Sequence, residues 1–137
     1  MSTTSSSTSP LHLVVVTPEA TVLDAQVEFV TVPLFDGELG VARNHAPLIG
    51  RLGFGELRYK VHGESYRYYV DGGFVQVDNN VVSVLTNRAL PTGELDGERA
   101  REQLAEALKR RPKNPEELAL RDRLQLQARA QLRLAGR

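Results

Sequence analysis

The segment Leu57–Thr86, LRYKVHGESYRYYVDGGFVQVDNNVVSVLT, carries an apolar side chain at almost every second position. This spacing is typical of β-strands that present one face to a core. Gly, Asn and Asp interrupt the alternation at intervals of roughly ten residues, as turns between antiparallel strands do. The predicted turns are Gly63-Glu64, Asp71-Gly72-Gly73 and Asn79-Asn80.

Two shorter patterns before this segment extend the strand prediction to residue 11. An apolar, β-branched run occupies residues 11–16 and ends at Thr17-Pro18. Further along, Ala25, Val27 and Phe29 alternate with polar neighbours. Because roughly 80 residues in such an arrangement can bury a working core, residues 11–90 are predicted to form an antiparallel β-sandwich or flattened barrel.

The composition changes at Pro91-Thr92-Gly93, which is a turn-type cluster. Residues 11–92 hold all four tyrosines and all four phenylalanines, and their six basic and nine acidic side chains give a charge of −3. Residues 94–137 hold no aromatic residue, and eleven basic and eight acidic side chains give +3. This change in composition and charge marks a boundary between the predicted sandwich and a second structural region, residues 91–137.

Residues 91–137 are predicted to form a hairpin of two antiparallel helices. The first ends at Pro112, after Lys109-Arg110-Arg111, where cations suit the helix dipole. The second begins at Asn114, which caps it, and Glu117 can close a capping box. The predicted apolar faces are Ala100, Leu104, Ala107 and Leu108, and then Leu120, Leu124, Ala128, Leu132 and Ala135. Helices of this length are marginal alone, so the hairpin is a candidate mobile element and the chain is predicted to be α+β.

Composition and charge disfavour several classes of protein. The 137 residues are 41% apolar and 25% charged, and 17 Lys and Arg balance 17 Asp and Glu. A zero net charge disfavours a general nucleic-acid or anionic-membrane binder. The lack of cysteine removes disulfides, thiolate zinc sites and cysteine nucleophiles. Residues 1–10 are mostly Ser and Thr, without an apolar stretch or arginine, so they predict a disordered tail and a cytoplasmic protein rather than a targeting peptide.

No arrangement of residues predicts a catalytic or metal site. The sequence has neither a phosphate-binding loop nor a nucleophile elbow, and His12, His45 and His62 lack metal-ligand spacing. The chain is therefore interpreted as an interaction module rather than an enzyme. Two alternatives remain: a free-standing ligand- or protein-binding β-sandwich, which would expose an aromatic platform, and a small enzyme that uses Asp, Glu and His.

Three motifs in the predicted sandwich are similar to those of a known family. Residues 37–48 contain Gly-Glu-Leu-Gly-Val and then Asn-His-Ala-Pro-Leu, and residues 70–77 read Val-Asp-Gly-Gly-Phe-Val-Gln-Val. They resemble Gly-Glu-[Leu/Met]-Gly, Gly-His-x-Pro-Leu and Ser-Gly-Gly-Phe-x-Glu-Val of the epsilon subunit of F-type ATP synthases, the delta subunit in mitochondria. The order and spacing match from about Leu11 to Arg133, although Asn44 and Asp71 stand where the family usually has glycine and serine.

The resemblance implies a noncatalytic rotor subunit of the central stalk, in a complex that couples proton transport to ATP synthesis. Its expected partners are the gamma subunit, the c-ring and, through the hairpin, the alpha and beta catalytic subunits, where the hairpin restrains ATP hydrolysis. The implied location is peripheral, on the cytoplasmic face of the cell membrane, with membrane contact only through the complex. No cofactor is implied apart from a possible regulatory ATP.

The family motifs also imply individual site residues. Glu38 and His45 are expected to face the polar loops of the c-ring. The segment from residue 95 to residue 100 resembles [Ile/Leu]-Asp-x-x-Arg-Ala, which binds ATP in some bacterial members and keeps the hairpin folded. The candidate ATP site comprises Leu95, Asp96, Arg99, Ala100, Arg129 and Arg133. The alternative interpretation is structural: Asp96 caps a helix and the arginines form a solvated face.

Overall fold

Eight β-strands precede two α-helices in the computed structural model, which describes residues 9–135. The strands are β1 Leu11–Val16, β2 Thr21–Val27, β3 Phe29–Leu34, β4 Gly37–Val41, β5 Leu48–Val61, β6 Glu64–Asp78, β7 Val81–Leu85 and β8 Ala89–Pro91. A 3-10 turn at Thr92–Glu94 leads to α1, Gly97–Lys109, and α2, Pro115–Ala135. The chain divides between Leu90 and Pro91 into two compact units. Most of the predicted Ser/Thr tail lies outside the described residues.

The strands pair in the order β2-β1-β7-β6-β5-β3-β4, with β8 beside β6. Along the path from β2 to β4 the pairings are antiparallel apart from that of β1 with β7, which is parallel. The predicted class, a β-sandwich followed by two helices, is confirmed. The parallel pair is a feature that strand periodicity alone does not reveal, because it depends on which strands become neighbours.

The long hairpin of β5 and β6 belongs to both layers of the sandwich. The second half of β5 pairs with β3, whereas the second half of β6 pairs with β7. The strand β6 continues through Asp71-Gly72-Gly73, where the sequence pattern predicted a turn. Gly72 and Gly73 adopt φ values of 72° and 112°, so these glycines bend the strand from one layer to the next without changing its register with β5.

Two tight turns use residues with positive φ. The turn between β6 and β7 is Asn79-Asn80, as predicted, with φ values of 53° and 64°. The turn between β5 and β6 is His62-Gly63, one residue earlier than predicted, so His62 is a turn residue rather than a strand residue. The carboxylate of Glu28 accepts from the backbone N–H groups of His62 and Gly63, at 3.0 and 3.3 Å.

The sandwich core comes from alternating positions on both layers. Its buried members are Leu11, Leu13, Val15, Val27, Val30, Val32, Val41, Leu52, Leu57, Tyr59, Val70, Val75, Val77, Val82 and Val84. Tyr66 lies in the alternating segment 57–86, yet it is 44% exposed and stacks on Tyr59 with ring centroids 5.2 Å apart. The end of the hairpin that carries Tyr66 therefore extends beyond the closed core.

Each of the two helices has a side-chain cap at its N-terminus. Asp96 accepts from the backbone N–H groups of Glu98 and Arg99, and Asn114 accepts from that of Glu117 at 2.8 Å. The Glu117 carboxylate accepts from the Lys113 N–H at 2.9 Å, one residue before the expected capping-box position. No helix within residues 9–135 is long and apolar enough to cross a membrane.

The buried positions of the helices are mostly alanine. They are Ala100 and Ala107 in α1, and Ala128, Ala130, Gln131 and Leu134 in α2. Leu108, which the spacing placed on the apolar face of α1, is 52% exposed. A methyl group at Gly97 would lie 3.7 Å from Cβ of Ala135, so the start of α1 lies beside the end of α2.

Candidate functional site

Glu38, the first predicted c-ring contact, lies in strand β4 rather than in a loop. Its carboxylate accepts from Nη1 of Arg58 at 3.1 Å and from Nη2 at 3.4 Å. Arg58 also donates to the buried carboxylate of Glu56 at 2.9 Å. The hydrogen bonds to Glu38 and to Glu56 raise the pKa of Arg58, against the opposing effect of its burial. Glu38 is thus a half-exposed carboxylate held in one geometry by a guanidinium fork.

His45, the second predicted c-ring contact, lies in the loop between β4 and β5. The loop is attached to the Asn79-Asn80 turn, because the backbone N–H of Asn44 donates to Oδ1 of Asn80 at 2.6 Å. The His45 ring is oriented by a contact of 2.8 Å between Nδ1 and the carbonyl oxygen of Ala46. Glu38 and His45 are therefore fixed by different partners, and no described hydrogen bond joins them.

Four large apolar side chains lie exposed on the outer side of the sandwich. Their exposed fractions are 56% for Phe35, 75% for Ile49, 58% for Phe74 and 54% for Leu85. We call these four residues the apolar stripe. In the strand register Phe74 lies opposite Leu85, and Arg51 lies opposite Phe74. The Arg51 guanidinium lies 4.2 Å from the centroid of the Phe35 ring. Ile49 lies two residues before Arg51 in β5, on the same face, so the four side chains belong to one neighbourhood.

A groove of about 450 Å³ borders the apolar stripe. It is lined by Val16, Thr17, Pro18, Gly73, Phe74, Leu85, Thr86 and Asn87. Exposed apolar side chains that cluster beside a groove mark a protein–protein contact more often than isolated ones do. The arrangement can accept apolar side chains of a partner.

The sequence analysis missed the apolar stripe because it followed one phase of the strand alternation. Phe74 precedes the core residue Val75, and Leu85 follows the core residue Val84. Adjacent apolar residues in a strand point to opposite faces. Apolar residues on both phases of one strand were therefore the available signal that the outer face of this layer is also apolar.

The candidate ATP-site residues lie at one end of the helical hairpin. Asp96 precedes α1, Arg99 lies in its first turn, and Arg129 and Arg133 lie in the last turns of α2. The three arginine side chains are exposed. Since the start of α1 lies beside Ala135, the fold brings the α1 and α2 residues of the candidate ATP site to the same end of the hairpin. Asp96 also caps α1, as the structural interpretation predicted.

The remaining two members of the motif have different environments. Ala100 is fully buried, whereas Leu95 is half-buried. Ala100 therefore contributes to helix packing, and Leu95 is the apolar group available at the end of the hairpin. Within residues 9–135, no cluster of three or more His, Asp or Glu side chains has the geometry to hold a metal ion.

The profile of the ATP synthase delta/epsilon chain β-sandwich domain matches residues 10–92. An ATP synthase epsilon chain of Rhodopirellula baltica is 51% identical over 123 residues, which cover 90% of this chain and 96% of the relative. One from Carboxydothermus hydrogenoformans is 44% identical over 100 residues, covering 73% of this chain and 75% of the relative.

Solved structures show the same architecture. A chain of the mitochondrial ATP synthase OSCP/F1/c-ring assembly of Euglena gracilis superposes with a TM-score of 0.69 at 26% identity, covering 90% of this chain and 75% of that one. A chain of the Tetrahymena thermophila mitochondrial ATP synthase central stalk and c-ring gives 0.72 at 14% identity, covering 90% and 95%. The second likeness concerns the fold alone.

A sandwich with an exposed apolar stripe, followed by a capped helical hairpin, defines a protein-binding subunit. The extent of the sequence matches identifies which one: the chain belongs to the delta/epsilon chain family of ATP synthases. It is accordingly a noncatalytic, central-stalk subunit of ATP synthase, in agreement with the prediction from its motifs.

Proposed function

We propose that the sandwich of this chain binds the gamma subunit through the apolar stripe and the c-ring through Glu38 and His45. The apolar stripe carries the proposal, because Phe74 and Leu85 each expose more than half of their surface beside a groove. Aromatic and aliphatic anchors that enter a partner dominate the free energy of binding. Attachment to both partners couples rotation of the c-ring to the stalk.

Binding of gamma by the purified full chain tests this assignment. The substitution Phe74→Ser should weaken binding about tenfold or more, since it removes a central apolar anchor. The matched control is Phe29→Ser, which changes a phenylalanine that is 40% exposed outside the apolar stripe. Equal affinities of the Phe74→Ser variant and the unsubstituted chain for gamma would rule the apolar stripe out as the docking surface.

The proposed c-ring contact uses Glu38 together with Arg58. Because Arg58 holds both oxygens of Glu38, the pair presents a fixed carboxylate edge rather than a free-moving charge. In an assembled enzyme, Glu38→Cys should crosslink to cysteines introduced into the polar loops of the c-ring. Absence of the crosslink, in a complex that assembles normally, would remove Glu38 from the contact.

The hairpin is proposed to restrain ATP hydrolysis by the alpha and beta subunits when it extends toward them. Its +3 charge suits an acidic surface on a catalytic partner. Its buried positions are mostly small, so little apolar burial opposes its rearrangement. The whole subunit is proposed to work at the cytoplasmic face of the cell membrane, where it meets the membrane only through the complex.

Regulatory ATP is proposed to bind the end of the hairpin. Arg99, Arg129 and Arg133 can hold phosphate oxygens as charged forks. Both cap bonds of Asp96 use Oδ1, so Oδ2 can accept from the adenine amino group while the cap remains. Titration of the chain with ATP to several millimolar should shift the amide NMR signals of Asp96 and the three arginines. Unchanged signals would leave only the helix-cap role.

A further inference from the structure

The loop that carries His45 is attached to the rest of the sandwich by two asparagines. The backbone N–H of Asn44 donates to Oδ1 of Asn80 at 2.6 Å, and Nδ2 of Asn80 donates to Oδ1 of Asn44 at 3.4 Å. We call this reciprocal pair the asparagine clasp. Asn80 is 7% exposed, so its amide is a buried polar group whose hydrogen bonds are costly to lose.

Asn80 links three separate parts of the chain through the clasp and one backbone hydrogen bond. Asn80 belongs to the turn between β6 and β7, Asn44 to the loop between β4 and β5, and the Asn80 carbonyl accepts from the His12 N–H of β1 at 2.9 Å. The loop is thereby tied to the body of the sandwich at a point one residue before His45. A loop fixed in advance loses less conformational entropy when it binds.

The backbone explains why asparagine can serve at both positions. Asn44 and Asn80 each have a φ of 64°, in the left-handed region where glycine and asparagine are favoured. Glycine would allow the same conformation but would offer no side chain. At position 44, where the family motif usually has glycine, this chain keeps the backbone geometry and gains an acceptor for Asn80.

We infer that Asn44 and Asn80 are positioning residues for His45, and that His45 offers a hydrogen-bond acceptor to the partner. Its Nδ1 faces the Ala46 carbonyl, which can only accept, so Nδ1 carries the hydrogen in the neutral ring. Nε2 is then an acceptor. It suits a guanidinium, ammonium or amide donor in a polar loop of the c-ring. This inference rests on the proposed contact between His45 and the c-ring.

Amide hydrogen exchange in the full chain tests the clasp without any partner. Asn80→Gly keeps the positive φ but removes both clasp bonds, and should lower the protection of the Asn44 amide about fivefold to tenfold. Asn44→Gly keeps the hydrogen bond from the residue-44 N–H to Asn80, so this amide should lose less protection than in Asn80→Gly. The matched control is Asn79→Gly in the same turn, with φ 53°. Equal protection at residue 44 in the Asn80→Gly and Asn79→Gly variants would overturn the clasp.

Crosslinking in the assembled enzyme tests positioning. Ala46→Cys preserves His45 and the backbone carbonyl that orients its ring, and should crosslink to cysteines in the c-ring polar loops. Adding Asn80→Gly should reduce the yield about fivefold, whereas adding Asn79→Gly should not. If Asn80→Gly lowers the protection of the Asn44 amide but leaves the crosslinking yield unchanged, the clasp stands and its role in positioning His45 is overturned. No crosslink from Ala46→Cys in the parent chain would overturn the inference and the His45 contact, while gamma binding through the apolar stripe would be unaffected.

Discussion

The sandwich and the helical hairpin bury different kinds of side chain. The core of the sandwich is built mainly from buried leucines and valines of seven strands, and its long hairpin β5–β6 is bent at two glycines with positive φ. Four of the six buried residues of the helices are alanines. Burial of a methyl group stabilises far less than burial of a leucine or valine side chain. We therefore expect the sandwich to be the fixed part of the subunit and the helices to be the part that can rearrange.

Removal of the hairpin should give the largest effect and tests the comparison directly. A chain that lacks residues 94–137 should lose the helical circular dichroism signal but keep a cooperative unfolding transition, because the core cluster lies entirely within the strands. In the reconstituted complex, ATP hydrolysis should rise while coupling to the rotor is kept. Unchanged hydrolysis would show that the hairpin does not inhibit, and failure to assemble would show that it is structural.

Gly73→Ala should destabilise the sandwich by about 3 kcal/mol or more, because it combines steric overpacking with strain at a positive φ. A Cβ at residue 73 would lie only 1.9 Å from the Leu85 carbonyl oxygen, and φ is 112°. The control is Gly63→Ala, with φ 79° and open space around the new methyl, for which about 1 kcal/mol is expected. Urea unfolding of both variants measures the difference, and equal midpoints would contradict the packing argument.

Local features of the fold were predictable from the sequence, whereas features set by distant neighbours were not. Asn79-Asn80 forms a turn because asparagine adopts a positive φ readily. Gly72-Gly73 is an equally strong turn signal in the sequence, yet these glycines bend a strand instead of ending it. The packing of Gly73 against Leu85, which distinguishes a bend from a turn, is not visible in the sequence. Similarly, spacing gives the apolar face of α1 but does not show which edge is covered, and Leu108 lies on the exposed edge.

The candidate site was predictable to the same extent. The family motif singled out Glu38 and His45 as candidate contact residues, but the sequence could not show that Arg58, 20 residues from Glu38, holds its carboxylate. Nor could it show that Asn80, 36 residues from Asn44, holds the His45 loop. Partners at such distances along the chain depend on strand order, which periodicity does not determine. The helix cap at Asp96 was predictable because its bonds span only two and three residues.

Asp96→Ala should destabilise the hairpin by about 1 kcal/mol, because it removes a helix cap. Asn114→Ala removes the cap of α2 and should cost a similar amount. Thermal unfolding followed by the helical signal measures both variants. If Asp96 also contacts ATP, only Asp96→Ala should abolish stabilisation by added nucleotide. Equal nucleotide responses in the two variants would assign Asp96 to capping alone.

The smallest expected effect concerns Tyr59 in the sandwich at alkaline pH. Burial, together with the neighbouring Tyr68 and Tyr66, raises the pKa of Tyr59 above its ordinary value of 10.0. The folded protein therefore keeps this proton at a pH where the unfolded chain has lost it. The resulting stabilisation is fully present below pH 10.0 and is lost as the pH rises through the folded pKa.

Urea unfolding between neutral pH and pH values above 10.0 should show this loss, and Tyr59→Phe should reduce it. Tyr66→Phe removes only a lesser cause of the raised pKa and should leave most of the loss in place, because burial of Tyr59 is the largest cause. An identical alkaline dependence in the Tyr59→Phe variant would mean that other groups control the stability of the sandwich at high pH.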